Sequence, residues 1–166
     1  MKDPVAGWKV LTDCLKPGGL MKVGLYSELA RQDIAKARRV IAEKNISSDK
    51  EDMLQFRRSI IDADDSNFKF LQASGDFYST SELRDLLFHV QEHRFTIPQI
   101  SKILNELGLV FTGFEFPKEE VNNRFKVTYP QQEALYDLDK WHEFETLNPN
   151  LFSGMYQFWT QKVIAH

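Results

Sequence analysis

The stretch Leu11 to Glu28, LTDCLKPGGLMKVGLYSE, constrains the chain more than any other. Pro17-Gly18-Gly19 cannot continue a helix, and it sits between two apolar segments of different character. The segment before it has helical spacing. The segment after it, Leu20 to Tyr26, is a short, mostly apolar run bounded by turn residues, the pattern of a strand near the middle of a sheet. A helix, a tight turn and a buried strand packed into so few residues require an α/β arrangement with the other elements laid against that strand.

The flanking sequence supplies them. Asp3-Pro4 starts the first helix, with Asp as cap and Pro in the first turn. Val5, Trp8, Leu11 and Leu15 fall on or near one face of it. After the strand, Ser27 or Glu28 opens a helix to about Lys44, with Leu29, Ile34, Ala37 and Ile41 as its buried stripe and Arg31 to Arg39 as a solvated basic face. Ser48-Asp49-Lys50-Glu51 and Ser79-Thr80-Ser81-Glu82 both read as capping boxes. The first opens a helix to about Ile61. Residues 62–66 break the pattern, and a short helix is expected over 67–72. Leu83, Leu86, Leu87 and Val90 form an apolar face after the second box.

Thr96-Ile97-Pro98 starts another helix, which Gly108 ends. Leu109 to Phe116 is a second strand, rich in β-formers. A polar, partly helical excursion runs from Pro117 to Pro130. A helix from Asp137 to Leu147 buries Leu138, Trp141 and Phe144. Met155 to Gln161 is a third strand, with Tyr156, Phe158 and Thr160 on one side. The long connection between the second and third strands permits an antiparallel pair. The expected fold is α/β: a partial sheet of three strands, the last two antiparallel, in one domain over 1–166 with a helical insertion at about 45–106.

Composition narrows the functional classes. The 166 residues are 42% hydrophobic, with thirteen Phe, five Tyr and three Trp, enough for a sizeable core. The net charge of −3 offers no basic footprint, so nucleic acid is not an expected partner. No apolar run reaches the length of a membrane span, and the start MKDPVAGWKV has no signal-peptide pattern. Cys14 is the single cysteine, so no internal disulfide can form. A soluble, intracellular (cytoplasmic) protein is expected.

KPGGLMKVGLYSE, DFYSTSELRDLLFHVQEHRFT, GLVFTGFEF and the terminal YQFWTQK, in that order, resemble the second half of a class I S-adenosylmethionine-dependent methyltransferase. The resemblance is to the bacterial type often fused to tetratricopeptide repeats, and it covers nearly the whole chain. It implies a Rossmann-like sheet in which Leu20–Tyr26 is the fifth strand, GLVFTGFEF the sixth and YQFWTQK the seventh, with the last two paired antiparallel at the end of the sheet. In the family, S-adenosylmethionine is held chiefly by the first half, through a glycine-rich turn and an acidic residue. Neither is found here. The resemblance therefore implies an acceptor-side portion that lacks autonomous cofactor binding, its first four strands missing from the gene, missing from this polypeptide, or supplied by a partner chain. A non-catalytic oligomeric or partner-binding module is the alternative. An incomplete sheet would leave an edge of the first strand open, and open apolar edges pair, so a homo-oligomer or a completing partner is expected.

Few residues stand out as chemistry. His89-Val90-Gln91-Glu92-His93 matches the inverted zinc-protease pattern H-x-x-E-H, which needs both histidines on one helical turn. The helix start at Thr96 leaves no room for that turn. In an extended segment the two histidines would lie about 13 Å apart, too far for one metal. No third ligand is evident, so no metal site is assigned. Two readings of this segment stay open. His89, Glu92, His93 and Arg94 line an acceptor pocket with a histidine as general base, or they hydrogen-bond a connection between helices. Tyr26, Ser27 and Glu28 end the first strand, the end at which open α/β sheets bind ligands; alternatively, Ser27 or Glu28 caps the next helix. Phe77, Tyr78, Trp141, Tyr156 and Trp159 read as core aromatics, and Cys14 as a structural thiol.

Overall fold

The structure, a computed structural model, describes residues 3–63, 68–88, 92–117 and 119–164. They form two compact units, one from the residues up to 30 together with those from 93 onward, the other from residues 31–92.

The first unit is built on a sheet. Its strands are β1 (Leu20–Ser27), β2 (Arg94–Phe95), β3 (Leu109–Phe114) and β4 (Tyr156–Lys162), in the order β2-β1-β4-β3. β1 pairs with β4 antiparallel from Leu20↔Gln161 to Leu25↔Tyr156. β3 pairs with β4 antiparallel, with a shift between Phe111 and Gly113 where φ of Gly113 is +135°. β2 lies parallel to the end of β1, with Tyr26 opposite Arg94 and Ser27 opposite Phe95. The chain is thus α/β, with a mixed sheet of four strands rather than three. The extra strand escaped the sequence because two residues carry no period; only the pairing with Tyr26 and Ser27 makes them a strand.

The Pro-Gly-Gly turn sets the register. Gly18 has φ +74°, which a residue with a Cβ adopts only at a cost. Its N–H donates to the Lys162 carbonyl, while Lys162 N–H donates to the Gly19 carbonyl, both at 2.9 Å. The ladder between β1 and β4 therefore begins inside the turn. Lys162 also ends the preceding helix, α1 (Pro4–Cys14): its Nζ donates to the Thr12 and Leu15 carbonyls at 2.8 and 2.9 Å. A lysine there satisfies carbonyls that the helix itself leaves without donors.

Three further helices complete this unit: α6 (Ile97–Glu106), α7 (Glu119–Thr128) and α8 (Leu138–Leu147). One sheet face packs into an aromatic core. Phe125 stacks on Trp141 at 3.6 Å between centroids, and Phe114 meets Trp141, Phe152 and Phe158. The other face carries exposed Leu20, Val110 and Trp159. α1 departs from its expected stripe. Trp8 is buried and Val5 and Leu15 pack against the core, but Leu11 is 59% exposed.

The second unit is helical: α2 (Gln32–Glu43), α3 (Lys50–Asp62), the short α4 (Lys69–Ala73) and α5 (Thr80–Leu83), which runs on into a π-helical turn at Arg84–Phe88. Its own core is largely aliphatic, with Ile34, Ile41, Met53, Ile60, Leu83 and Leu87 buried.

Candidate functional site

In the first unit, Tyr26, Ser27 and Glu28 at the carboxyl end of β1 come together with Arg94 of the second segment that the sequence singled out. Tyr26 and Ser27 end the strand, and Arg94 pairs beside Tyr26. Arg94 Nε also meets a Glu28 carboxylate oxygen at 3.1 Å, and Glu28 N–H donates to the Phe95 carbonyl at 2.8 Å. His93 is exposed and immediately precedes β2. Glu92 belongs to the helical unit, where Arg38 donates to its Oε2 at 3.2 Å and to the Leu86 carbonyl at 3.1 and 2.8 Å. His89 and Val90 lie outside the described residues. Among the described residues, no three His, Cys, Asp or Glu side chains are placed to hold a metal ion.

Ser27 points inward. Its hydroxyl donates to Glu145 Oε1 at 2.6 Å and accepts from Ala30 N–H at 3.0 Å. Tyr156 donates to the same carboxylate, at 2.7 Å to Oε1 and 2.9 Å to Oε2. Ser27, Glu145 and Tyr156 are 0%, 2% and 0% exposed. The cluster thus ties together the end of β1, the start of β4 and the last turns of α8. Its donors to the carboxylate are neutral hydroxyls. Burial raises the Glu145 pKa above its ordinary value, against the opposing pull of the Ser27 and Tyr156 hydrogen bonds. Burial, then the neighbouring Glu145 charge, pushes the Tyr156 phenol up as well.

Sequence reasoning did not assign Glu145 any role. One signal was present: Glu145 stands four residues after Trp141 and next to Phe144, so it falls on the apolar side of α8. A carboxylate placed there is buried and needs donors. The sequence makes Tyr156 a core aromatic, and the residue is buried. Its hydroxyl is what sequence could not place.

A second feature of the sheet unit lies along β1. Trp8, Leu11, Leu15, Leu20, Val23 and Phe95 help to line an open, mostly apolar groove of about 800 Å³ between α1 and the β1 edge. β2 covers that edge only at Tyr26 and Ser27.

No protein-family model matches the chain. An uncharacterized protein of Synechococcus sp. (strain ATCC 27144 / PCC 6301 / SAUG 1402/1) is similar to it, 23% identical over 162 residues. The match covers 91% of this chain but 39% of that protein. No helix among the described residues is long and apolar enough to cross a membrane.

Proposed function

We propose that this chain is the acceptor-side portion of a methyltransferase-like protein, and that it does not bind S-adenosylmethionine by itself. The observation that carries the reading is the order of the sheet. A parallel pair, β2 and β1, is followed by an antiparallel pair, β4 and β3, at the end of the sheet. That order agrees with the resemblance of GLVFTGFEF and YQFWTQK to a terminal antiparallel pair. The Synechococcus relative supports it less directly, since a segment like this one is there part of a longer chain.

The residues at the carboxyl end of β1 do not fit the cofactor. Ser27, Glu145 and Tyr156 are buried and hydrogen-bond to one another, and Glu28 and Arg94 pair at 3.1 Å. No step of methyl transfer is therefore assigned to this chain. Its contribution is positional: a rigid strand end, locked by a buried carboxylate, from which Tyr26 and Arg94 present polar groups to an acceptor. Holding an acceptor in line is a large part of what a displacement reaction needs from its protein.

The alternative, an oligomeric or partner-binding module without catalysis, is favoured by the groove beside β1. Titration calorimetry with S-adenosylmethionine separates the readings. This chain is expected to give no heat of binding, and the longer Synechococcus relative a saturable one. Binding by this chain alone would overturn the assignment of the cofactor elsewhere. Absence of binding by the relative would remove the methyltransferase reading and leave the module.

A further inference from the structure

Glu145 sits among hydroxyls and away from cations. Its hydrogen-bond partners are Ser27 and Tyr156, and among the described residues no lysine, arginine or histidine pairs with it. The charged groups nearby are engaged elsewhere or stand off. His142 lies one turn earlier on α8 and acts on the carboxylate only through space, and its buried Nδ1 makes no hydrogen bond. Glu28, after β1, pairs with Arg94 of β2. On α6, which packs on α8, Lys102 meets Glu106. On α7, Arg124 donates to Asn148. A carboxylate charge buried without a cation is strongly disfavoured.

The distances suit the protonated acid. Tyr156 spans both carboxyl oxygens, at 2.7 Å to Oε1 and 2.9 Å to Oε2. With a proton on Oε2, that O–H donates to the Tyr156 oxygen, the phenol donates to Oε1, and Ser27 donates to Oε1 at 2.6 Å. Every proton then has an acceptor, and the carboxyl group carries no charge. We infer that the cluster is a pH-sensitive latch on the end of β1, closed while Glu145 holds its proton and opened at residues 27–30 when Glu145 gives that proton to water. The three elements that meet at the carboxyl group are held unequally. β4 lies between β1 and β3, and α8 is fixed by Trp141 and Phe144 in the aromatic core. β1 pairs with β4 only as far as Leu25, and its last two residues pair with the two-residue β2. Past the strand, the Ser27 hydroxyl accepts from Ala30 N–H at 3.0 Å, and Glu28 N–H donates to the Phe95 carbonyl. Water therefore reaches the charge most readily by displacing residues 27–30. The inference stands on this cluster alone and does not rest on the methyltransferase reading.

Amide hydrogen exchange on the full chain, read by NMR at Ala30 N–H, tests it. Burial raises the Glu145 pKa, so between the ordinary carboxylate range and the folded pKa each opening releases one proton. There the protection of Ala30, corrected for intrinsic exchange, is expected to fall about tenfold per pH unit. A low, non-denaturing concentration of urea should leave Ala30 exchange unchanged, which marks local opening. Glu145→Gln keeps an acceptor for Ser27 and a donor for Tyr156 but cannot ionise, so its Ala30 protection is expected to be the same at every pH. In infrared spectra the wild type is expected to keep the C=O stretch of a protonated carboxyl group above the ordinary carboxylate range. That band should fade at the pH where the fall in Ala30 protection levels off. Wild-type protection that does not change with pH, an equal fall in Glu145→Gln, or Ala30 exchange that urea accelerates together with the β1–β4 ladder overturns the latch. If Glu145→Gln fails to fold, the infrared band decides. A band that fades where Ala30 protection levels off supports the latch, and one lost within the ordinary carboxylate range overturns it.

Discussion

The two units of this chain solve the same folding problem with different materials. The sheet unit is aromatic: Trp8, Phe111, Phe125, Trp141, Phe144, Phe152, Tyr156 and Phe158 are all buried in one cluster. The helical unit is mostly aliphatic. Each also holds a carboxylate away from water. In the sheet unit Glu145 is held by two hydroxyls, and in the helical unit Glu92 is held by the Arg38 guanidinium, with side-chain exposures of 21% for Arg38 and 9% for Glu92. Interlocked rings favour one arrangement of the sheet, whereas the helical unit leans on a charged pair and on a π-helical turn. The sheet unit should therefore be the stiffer of the two, and its core substitutions the more costly.

The largest effect tests that contrast directly. Trp141→Ala removes the ring stacked on Phe125 and the indole donor to the Leu135 carbonyl at 3.0 Å. A loss of about 3–5 kcal/mol is expected in chemical denaturation. A loss of about 1 kcal/mol would mean that the rings repack and that the aromatic core confers no special rigidity.

Arg38→Ala is the counterpart in the helical unit. It strips donors from the Leu86 carbonyl and leaves Glu92 without its cation, for an expected cost of about 2–3 kcal/mol. Arg38→Lys restores the charge but not the fork that spans the carbonyl and the carboxylate, so it should recover part of the loss. Hydrogen exchange should show the damage confined to residues 31–92. Equal loosening of β1 and β4 would mean that the two units do not respond separately.

How far the sequence revealed these features follows from the range of the forces involved. The Pro-Gly-Gly turn, Gly108 after α6, the alternation of β4 and the antiparallel pairing of the last two strands depend on local backbone preference or on a simple period. β4 lying between β1 and β3, and β2 joining the sheet, depend on partners far along the chain. Ser27 and Tyr156 were visible as residues, but the carboxylate that unites them was not, because its burial is a tertiary fact. Leu11 has the spacing of the apolar stripe of α1, yet it is exposed in the structure.

Glu145 sharpens the comparison through pH. Burial raises its folded-state pKa above the ordinary carboxylate value, so the folded protein holds that proton more tightly than the unfolded chain. The stability this group supplies is fully present below the unfolded pKa. It is lost as pH rises through the folded pKa. Thermal melts from below pH 4.5 to neutral should therefore show Glu145→Gln gaining on the wild type as pH increases. A difference that does not change with pH would mean that Glu145 titrates like a solvated carboxylate. No such trend is expected for Arg38→Ala.

Helix starts supply the smallest and most discriminating contrast. In the sheet unit side chains do the capping. Thr96 Oγ1 accepts from Gln99 N–H while the Gln99 side chain accepts from Thr96 N–H, and Asp3 and Asp137 each accept two backbone donors. In the helical unit the two capping boxes legible in the sequence do not close. The N-cap of α3 is Asp49 instead of Ser48, and it makes no side-chain cap bond. The Ser79 hydroxyl pairs with that of Ser81 instead of with a backbone donor. Thr96→Ala should thus cost about 1 kcal/mol, and Ser79→Ala less than about 0.5 kcal/mol. The second figure is the informative one. A serine at the N-cap of a four-residue helix that hands over to a π-helical turn gains little by fixing a donor there, because the next turn already relaxes the ladder. If Ser79→Ala proves as costly as Thr96→Ala, the box closes in solution, and the helical unit is held at its ends by the same means as the sheet unit.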